Sequence, residues 1–166
     1  MRKFAVTLSG LAFAVCAAQG AVADTAAPSS PKMVRYLLAL TGDAVPDKSG
    51  KHITVKESAT LPSDIDSAVS GGQNSVTINT LVTVGAKGTF SEKGTITFGG
   101  GTVMVQSAGL GRIGPSKIKG VNSGYVVWKV VGGTGVFVGA SGYILSRFSE
   151  ESGAVNDGET ALIYLK

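Results

Sequence analysis

From residue 33 onward, apolar and polar residues alternate along the chain with a period of two, rather than the 3.6 of an amphipathic helix. The alternating segments are residues 34–40, 53–55, 76–84, 96–98, 103–105, 125–131 and 161–165. A period of two over short segments is typical of β-strands that bury one face. The pattern therefore predicts a protein built almost entirely from short strands.

Clusters of Gly, Asn, Asp and Ser accompany these segments and predict turns. They lie at residues 47–50, 70–74, 85–88, 91–94, 99–101 and 156–158. Each cluster supplies the residues that accept the positive φ angles of hairpin turns. Only residues 57–70 break the alternation, and there Ser63 and Asp64 are predicted to cap one short helical turn. Short strands with glycine turns and very little helix indicate an antiparallel sandwich or barrel.

Glycine content favours the barrel. The chain has 24 Gly among 166 residues, roughly twice the usual frequency, and Gly124, Gly139 and Gly142 lie in or beside predicted strands. Tight curvature of a barrel wall requires bends where a Cβ would collide. Charged residues are 16% of the chain, against a typical value of ~25%, so we expect one ordered domain with an apolar core.

The N-terminus has the pattern of an export signal that is removed. Two basic residues precede an apolar stretch at residues 4–18, and Ala-Val-Ala at residues 21–23 forms a small-x-small cleavage site before Asp24. The apolar stretch is short for a membrane span, which needs about 20 residues. We therefore expect an exported protein, periplasmic or secreted, in three parts. These are a cleaved signal peptide at residues 1–23, a flexible lead-in at 24–32 and a single barrel domain at 33–166.

Charge and cysteine usage narrow the classes of partner. The formal net charge is +4, but Arg2 and Lys3 of the signal account for two of these charges. The remaining basic residues are not clustered as in a nucleic-acid surface, so no nucleic-acid partner is predicted. Cys16 is the single cysteine and lies in the signal, so no disulfide is predicted. No apolar run after the signal is long enough to span a membrane.

Two glycine-rich motifs resemble nucleotide-binding sequences in spelling alone. Residues 109–114 read G-x-G-x-x-G, but Pro115 follows where a helix should open, and no Asp or Glu occurs between Lys93 and Glu150. A dinucleotide site needs both that helix and an acidic residue about 20 positions later. Residues 132–135 (Gly-Gly-Thr-Gly) are better explained as a tight turn between two strands. We predict an ordinary loop and an ordinary turn, with no nucleotide cofactor.

Metal and nucleophile chemistry has little support in the sequence. His52 is the only histidine, which argues against a zinc site, and its alternation with Ile53 places it on a strand surface. Asp64 and Asp66 could touch a calcium ion, but further acidic ligands are missing nearby, so a solvated loop is favoured. No G-x-S-x-G nucleophile motif is present. No metal and no cofactor are predicted.

Three polar residues fall on apolar phases and are the candidate ligand-binding residues. If Ile53 and Val55 point inward, alternation carries Glu57 inward as well, where its carboxyl would meet a basic group or have a raised pKa. The alternative is that the strand ends at Lys56 and Glu57 turns to solvent. Tyr36 and Tyr125 lie on inward phases too, where each hydroxyl needs a partner. Trp128 lies on the opposite phase, either exposed at an interface or packed.

Two segments of the C-terminal half resemble the allene oxide cyclase and dirigent barrel superfamily. The first is residues 98–106 (FGGGTVMVQ), and the second is residues 130–143 (VVGGTGVFVGASGY). In that superfamily a strand ends in a Gly-Gly-Thr/Ser-Gly turn, followed by an aromatic residue, a small pair and Gly. The resemblance implies an eight-stranded antiparallel barrel with a central cavity, often trimeric, which in plants acts on apolar substrates. The plant catalytic pattern cannot be aligned onto the first strands, so no catalytic residue is transferred.

Three functions remain open from the sequence. The first is a non-catalytic barrel that binds a small apolar ligand, or a partner, at one mouth. The second is a cyclase or isomerase in which Glu57, Tyr36 or Tyr125 are polar groups of the cavity. The third is a surface or secreted interaction protein, which should expose an apolar patch near Trp128 or Phe148.

Overall fold

The alternation at residues 34–40 forms a strand whose buried side chains Val34, Tyr36, Leu38 and Leu40 point into a barrel. In the computed structural model, which describes residues 32–166, all nine strands belong to one antiparallel sheet. The predicted signal peptide at residues 1–23 and nearly all of the lead-in lie outside the described residues. No helix among the described residues is long and apolar enough to cross a membrane.

The described part of the chain contains nine strands, one short helix and one 3-10 turn. In order they are β1 (Met33–Pro46), β2 (His52–Thr60), α1 (Ser67–Ser70), β3 (Ser75–Val84), β4 (Thr89–Phe98), β5 (Gly101–Ser107), β6 (Gly111–Pro115), β7 (Asn122–Gly133), the 3-10 turn (Gly135–Phe137), β8 (Ser141–Glu151) and β9 (Ala154–Tyr164).

Eight of these strands close into a barrel, with β6 as an additional strand. Neighbouring strands around the wall are β1, β2, β3, β4, β5, β7, β8 and β9, and β9 pairs with β1 to close it. The short β6 pairs with the beginnings of both β4 and β7. The predicted all-β, eight-stranded antiparallel barrel is therefore confirmed.

One end of the barrel is closed by packed turns. The first residues of the β4–β5 turn pack on α1, where Gly100 N–H donates to Val69 O at 2.9 Å. A Cβ on Gly100 would lie 1.9 Å from Ala68 O, and one on Gly135 would lie 2.1 Å from Gly100 O. Glycine permits these close approaches, so the residues 99–101 and 132–135 singled out in the sequence form the closed end.

Two of the predicted turns are wrong. Residues 91–94 lie inside β4, and residues 156–158 lie inside β9. Their Ser, Glu, Asn and Asp residues have the composition of a turn, but they continue the strands on either side. The short helical turn exists at Ser67–Ser70, and its N-cap is Asp66 rather than Ser63 or Asp64. Asp66, one of the two candidate calcium ligands, therefore caps a helix, and it also forms an ion pair with Lys32.

The prediction that Tyr125 and Val127 of β7 point inward is wrong by one residue. Val126, Trp128 and Val130 are buried, whereas Tyr125 and Val127 are largely exposed. Both phases of this strand are apolar, so alternation alone could not choose between them. Trp128 is 1% exposed, which excludes the exposed position considered for it.

The G-x-G-x-x-G segment is mostly the strand β6 rather than a loop. A Cβ on Gly111 would lie 2.3 Å from the ring of Phe90, while one on Gly114 would meet nothing within 4 Å. On the neighbouring strand, a Cβ on Gly124 would lie 2.3 Å from Arg112 O. Gly111 and Gly124 therefore let β6 pack tightly into the wall between β4 and β7, and no helix follows the motif.

Candidate functional site

A cavity of about 620 Å³ occupies the end of the barrel opposite α1. It reaches the turns after β1, β3 and β8, where Pro46, Gly85 and Gly153 line it. Its walls are largely apolar and come from most of the strands. The apolar and aromatic wall residues are Ala44, Ile53, Val55, Val82, Val84, Phe90, Ile113, Trp128, Phe148 and Val155.

Glu57 lies at the floor of this cavity. The strand β2 continues to Thr60, so Glu57 keeps the inward phase of Ile53 and Val55 and is only 7% exposed. Its Oε1 has no hydrogen-bond partner among the described residues. Burial, with smaller contributions from the carboxylates of Asp157 and Glu92, raises the pKa of Glu57 to about 8. Of the two positions considered for Glu57, inward or turned to solvent, the structure has the inward one.

Two further carboxyls come from β9. Asp157 lines the cavity, and its Oδ2 accepts a hydrogen bond of 2.8 Å from the Ser146 hydroxyl. Glu159 is fully buried, and its Oε2 accepts a hydrogen bond of 3.4 Å from the Tyr36 hydroxyl. Asp157 Oδ1 and Glu159 Oε1 have no partner in the described part of the chain. Burial raises the pKa of Asp157, and burial together with the nearby Asp157 raises that of Glu159 strongly.

Glu92 of β4 completes the group and is the best satisfied member. Its Oε2 accepts a hydrogen bond of 3.0 Å from the Trp128 indole N–H, and its Oε1 accepts one from the Thr80 hydroxyl. Burial raises the pKa of Glu92 to about 7, although both hydrogen bonds act in the opposite direction. We call Glu57, Glu92, Asp157 and Glu159 the acidic cluster.

The acidic cluster is buried without a basic counterion. Within residues 32–166, the ion pair between a Lys and a carboxylate joins Lys32 to Asp66, away from the cluster. None of the described residues that line the cavity is Lys, Arg or His. Four carboxyls close enough to raise one another's pKa cannot all be ionised in a buried site at neutral pH. The cluster is therefore partly protonated at neutral pH.

The other predicted candidate residues have different positions. Tyr36 is buried beneath the cavity with its hydroxyl on Glu159, and its pKa is raised well above the ordinary value, chiefly by burial. Tyr125 is 50% exposed and lies in a depression of the outer wall, not in the cavity. His52 is exposed on β2 beside Asp47, at 3.2 Å. Of the three candidate binding residues, only Glu57 therefore lines the cavity.

Sequence reasoning missed three of the four carboxyls. Asp157 and Glu159 continue the inward phase of Ala161, Ile163 and Leu165 backwards along β9. Glu92 continues that of Ile96 and Phe98 along β4 in the same way. Extending the alternation through polar residues identifies all three, but Glu92 and Asp157 lie in segments 91–94 and 156–158, whose composition predicts turns.

Chemically, the cavity combines apolar walls with a polar floor of carboxyls whose pKa values are raised by burial. Such groups can accept hydrogen bonds, hold a positive charge or transfer a proton. Within residues 32–166, no three His, Cys, Asp or Glu side chains are grouped so as to hold a metal ion. The interaction hypothesis expects an apolar patch near Trp128 or Phe148. Trp128 is buried, whereas Phe148 packs on Phe90 and is partly exposed in the depression of the outer wall.

Neither the comparison with protein-family models nor the comparison with curated proteins finds a match for this sequence.

Proposed function

We propose that this protein is an exported barrel that binds one small, predominantly apolar molecule in its cavity, without turning it over. The observation that carries the proposal is the cavity of about 620 Å³ with apolar walls. Ligand cavities typically measure about 300–1,000 Å³ and combine such walls with a few polar groups. An eight-stranded barrel has room for one small ligand.

The interior layout supports binding rather than plain packing. Below the acidic cluster, the barrel is filled by residues such as Leu38, Ile78, Ile96 and Ile144. Above it, Ile53, Val55 and Val82 are only partly buried, although they point inward. Apolar side chains that point inward but are incompletely covered gain further burial when an apolar molecule fills the space.

The test is a binding measurement with a cavity-filling variant. The full chain is titrated with an uncharged probe such as decanol, and binding is followed by calorimetry. Val55→Trp fills the cavity and is expected to abolish binding. Thr54→Trp, on the exposed face of the same strand, is the matched control and keeps it. Equal binding by both variants would locate the probe elsewhere and overturn the proposal.

Native mass spectrometry of the purified protein provides the identity of a resident ligand. We expect an apolar molecule that is released on unfolding. A protein that is empty and binds no apolar probe would favour a macromolecular partner at the barrel mouth instead.

A second candidate function is isomerisation or cyclisation of an apolar substrate. It is favoured by Glu57 and Glu92, whose pKa values of about 8 and about 7 suit proton transfer near neutral pH. After incubation, the ligand identified by mass spectrometry should then be recovered as a product of equal mass with a different retention time. Glu57→Gln should abolish this conversion and still bind the ligand. Unchanged ligand after incubation with the parent protein would exclude this function.

Membership of the allene oxide cyclase and dirigent superfamily, and a trimeric assembly, remain part of the proposal. The barrel architecture is compatible with that resemblance, which rests on residues 98–106 and 130–143. Size measurement by light scattering tests the assembly, with a mass of three chains as the expected result.

A further inference from the structure

We propose that the ligand is an organic ammonium compound, with an apolar body and a positively charged nitrogen that sits on Glu57 and Asp157. This inference rests on the proposed function and specifies its ligand class. Both carboxyls line the cavity, and each is more than nine-tenths buried. Each also has one oxygen without a hydrogen-bond partner among the described residues, namely Oε1 of Glu57 and Oδ1 of Asp157. Both oxygens are enclosed, so each carboxyl has to turn toward the cavity to meet the nitrogen.

An unpartnered buried oxygen is costly, and a ligand can remove that cost. Leaving a buried polar group unsatisfied destabilises a protein, and a charged group does so more strongly. An ammonium group has three N–H donors and no acceptor. It therefore complements two carboxylates, which are acceptors when ionised. A ligand with only an apolar surface would leave both oxygens unpartnered.

The charge of the cavity selects the sign of the ligand. Its described lining residues include carboxyls and no Lys, Arg or His. A bound cation would supply the counterion that the acidic cluster lacks. A ligand with its own carboxylate would add one more negative charge to a buried acidic site, which raises the cost of binding.

Aromatic residues in the same cavity agree with a cationic ligand. Phe90, Trp128 and Phe148 all line it. Aromatic rings attract organic cations through the negative face of the ring, and Trp is the most effective of them. The indole N–H of Trp128 is bonded to Glu92, which fixes the orientation of its ring in the cavity wall.

Ammonium binding should strengthen as pH rises, because it needs ionised carboxyls. The titratable groups that face the site are Glu57 of β2, Glu92 of β4, Asp157 and Glu159 of β9, Tyr36 of β1 and, at the mouth, Glu150 of β8. The other packed strands contribute the uncharged Thr80, Ser146 and Trp128. The affinity is therefore expected to increase between about pH 6 and pH 9, while a decylammonium probe remains protonated.

The test compares three probes with the same decyl chain: decylammonium, decanol and decanoate. Each is titrated into the full chain at about pH 8.5 by calorimetry. Decylammonium is expected to bind at least about tenfold more tightly than decanol, and decanoate most weakly. Decanol binding as tightly as decylammonium would overturn the inference and leave the proposed function intact. Absence of binding by every probe would overturn the proposed function itself.

Three variants locate the charge recognition. Glu57→Gln and Asp157→Asn are expected to remove the preference for decylammonium over decanol. Glu151→Gln, which removes an exposed carboxyl at the end of β8, is the matched control and keeps the preference. A preference that survives both cavity variants would overturn the assignment. If either variant fails to fold, the ranking of the three probes on the parent protein decides the question alone.

Discussion

The indole N–H of Trp128 donates a hydrogen bond to Oε2 of Glu92, at 3.0 Å, inside the barrel. The bond joins β7 to β4 past the intervening β5. It anchors a buried carboxyl at the wall of the cavity and fixes the polar edge of the only tryptophan in the chain.

Replacing Trp128 by Phe should therefore destabilise the protein. The change leaves Oε2 of Glu92 without its donor in a buried site, which costs about 1–3 kcal/mol, and it also removes packed volume. Denaturant unfolding followed by far-UV circular dichroism measures the loss. Tyr125→Phe, on the outer face of the same strand, is the control and should change stability by less than about 0.5 kcal/mol. Equal stability of the Trp128→Phe variant and the parent would contradict the role of this bond.

The stability of the barrel should fall as pH rises from about 4.5 to 8. The pKa of Glu57 is raised from an ordinary value of 4.5 to about 8, and that of Glu92 to about 7. Below pH 4.5 both carboxyls are protonated in the folded and unfolded states, so their full contribution is present. Above it the unfolded chain releases protons that the folded protein retains, and the contribution is lost as pH passes the folded pKa values.

Glu57→Gln tests this pH dependence directly. The amide stays neutral at every pH, so the variant should lose less stability on alkalisation and exceed the parent by roughly 2–4 kcal/mol near pH 9. Thermal unfolding across the pH series measures the difference. Glu151→Gln should retain the slope of the parent protein. A parent protein whose stability rises over this range would refute the raised pKa of Glu57.

Gly111→Ala should destabilise the barrel by roughly 1–3 kcal/mol through overpacking. The new Cβ would lie 2.3 Å from the Phe90 ring, and that ring is itself packed against Phe148 at a centroid distance of 5.9 Å. Gly114→Ala in the same strand is the control, since its Cβ meets nothing within 4 Å. Thermal unfolding of both variants compares them, and equal melting temperatures would show that β6 tolerates a side chain at this point.

Export should produce a mature chain that begins at Asp24. N-terminal sequencing and intact mass of the protein recovered outside the cytoplasm check this expectation. Ala23→Leu places a large residue at the predicted cleavage site and should block processing. Ala14→Leu, within the apolar stretch, should be processed normally. Recovery of an exported chain that still begins at Met1 would contradict a cleaved signal.

Much of the fold follows from local patterns in the sequence. Strands such as β1 alternate between a buried apolar face and a polar outer face, and period two identifies them without tertiary information. The strand β7 is different, because Tyr125 and Val127 on one phase are as apolar as Val126 and Trp128 on the other. Its orientation depends on which side chains fit inside the closed wall, and that is a tertiary property.

The candidate site was only partly predictable for a related reason. Glu57 follows two inward apolar residues, so alternation offers the interior as one position for it, while a strand that ends at Lys56 would turn it to solvent. Glu92 and Asp157 stand beside Lys93, Gly94 and Gly158, and residues of these types normally mark turns. A polar barrel interior and a solvated turn have the same local composition, and only pairing with distant strands distinguishes them.

The closure of the barrel by β9 also sets the order in which the interior is completed. This strand pairs with β1 at one side and β8 at the other, so the wall is closed only when β9 is in place. The same strand carries Asp157 and Glu159 into the barrel interior. There Glu159 accepts a hydrogen bond from the hydroxyl of Tyr36 on β1. Half of the acidic cluster therefore leaves water in the step that pairs β9 with β1. Because that step buries carboxyls, mild acid should accelerate the final stage of folding.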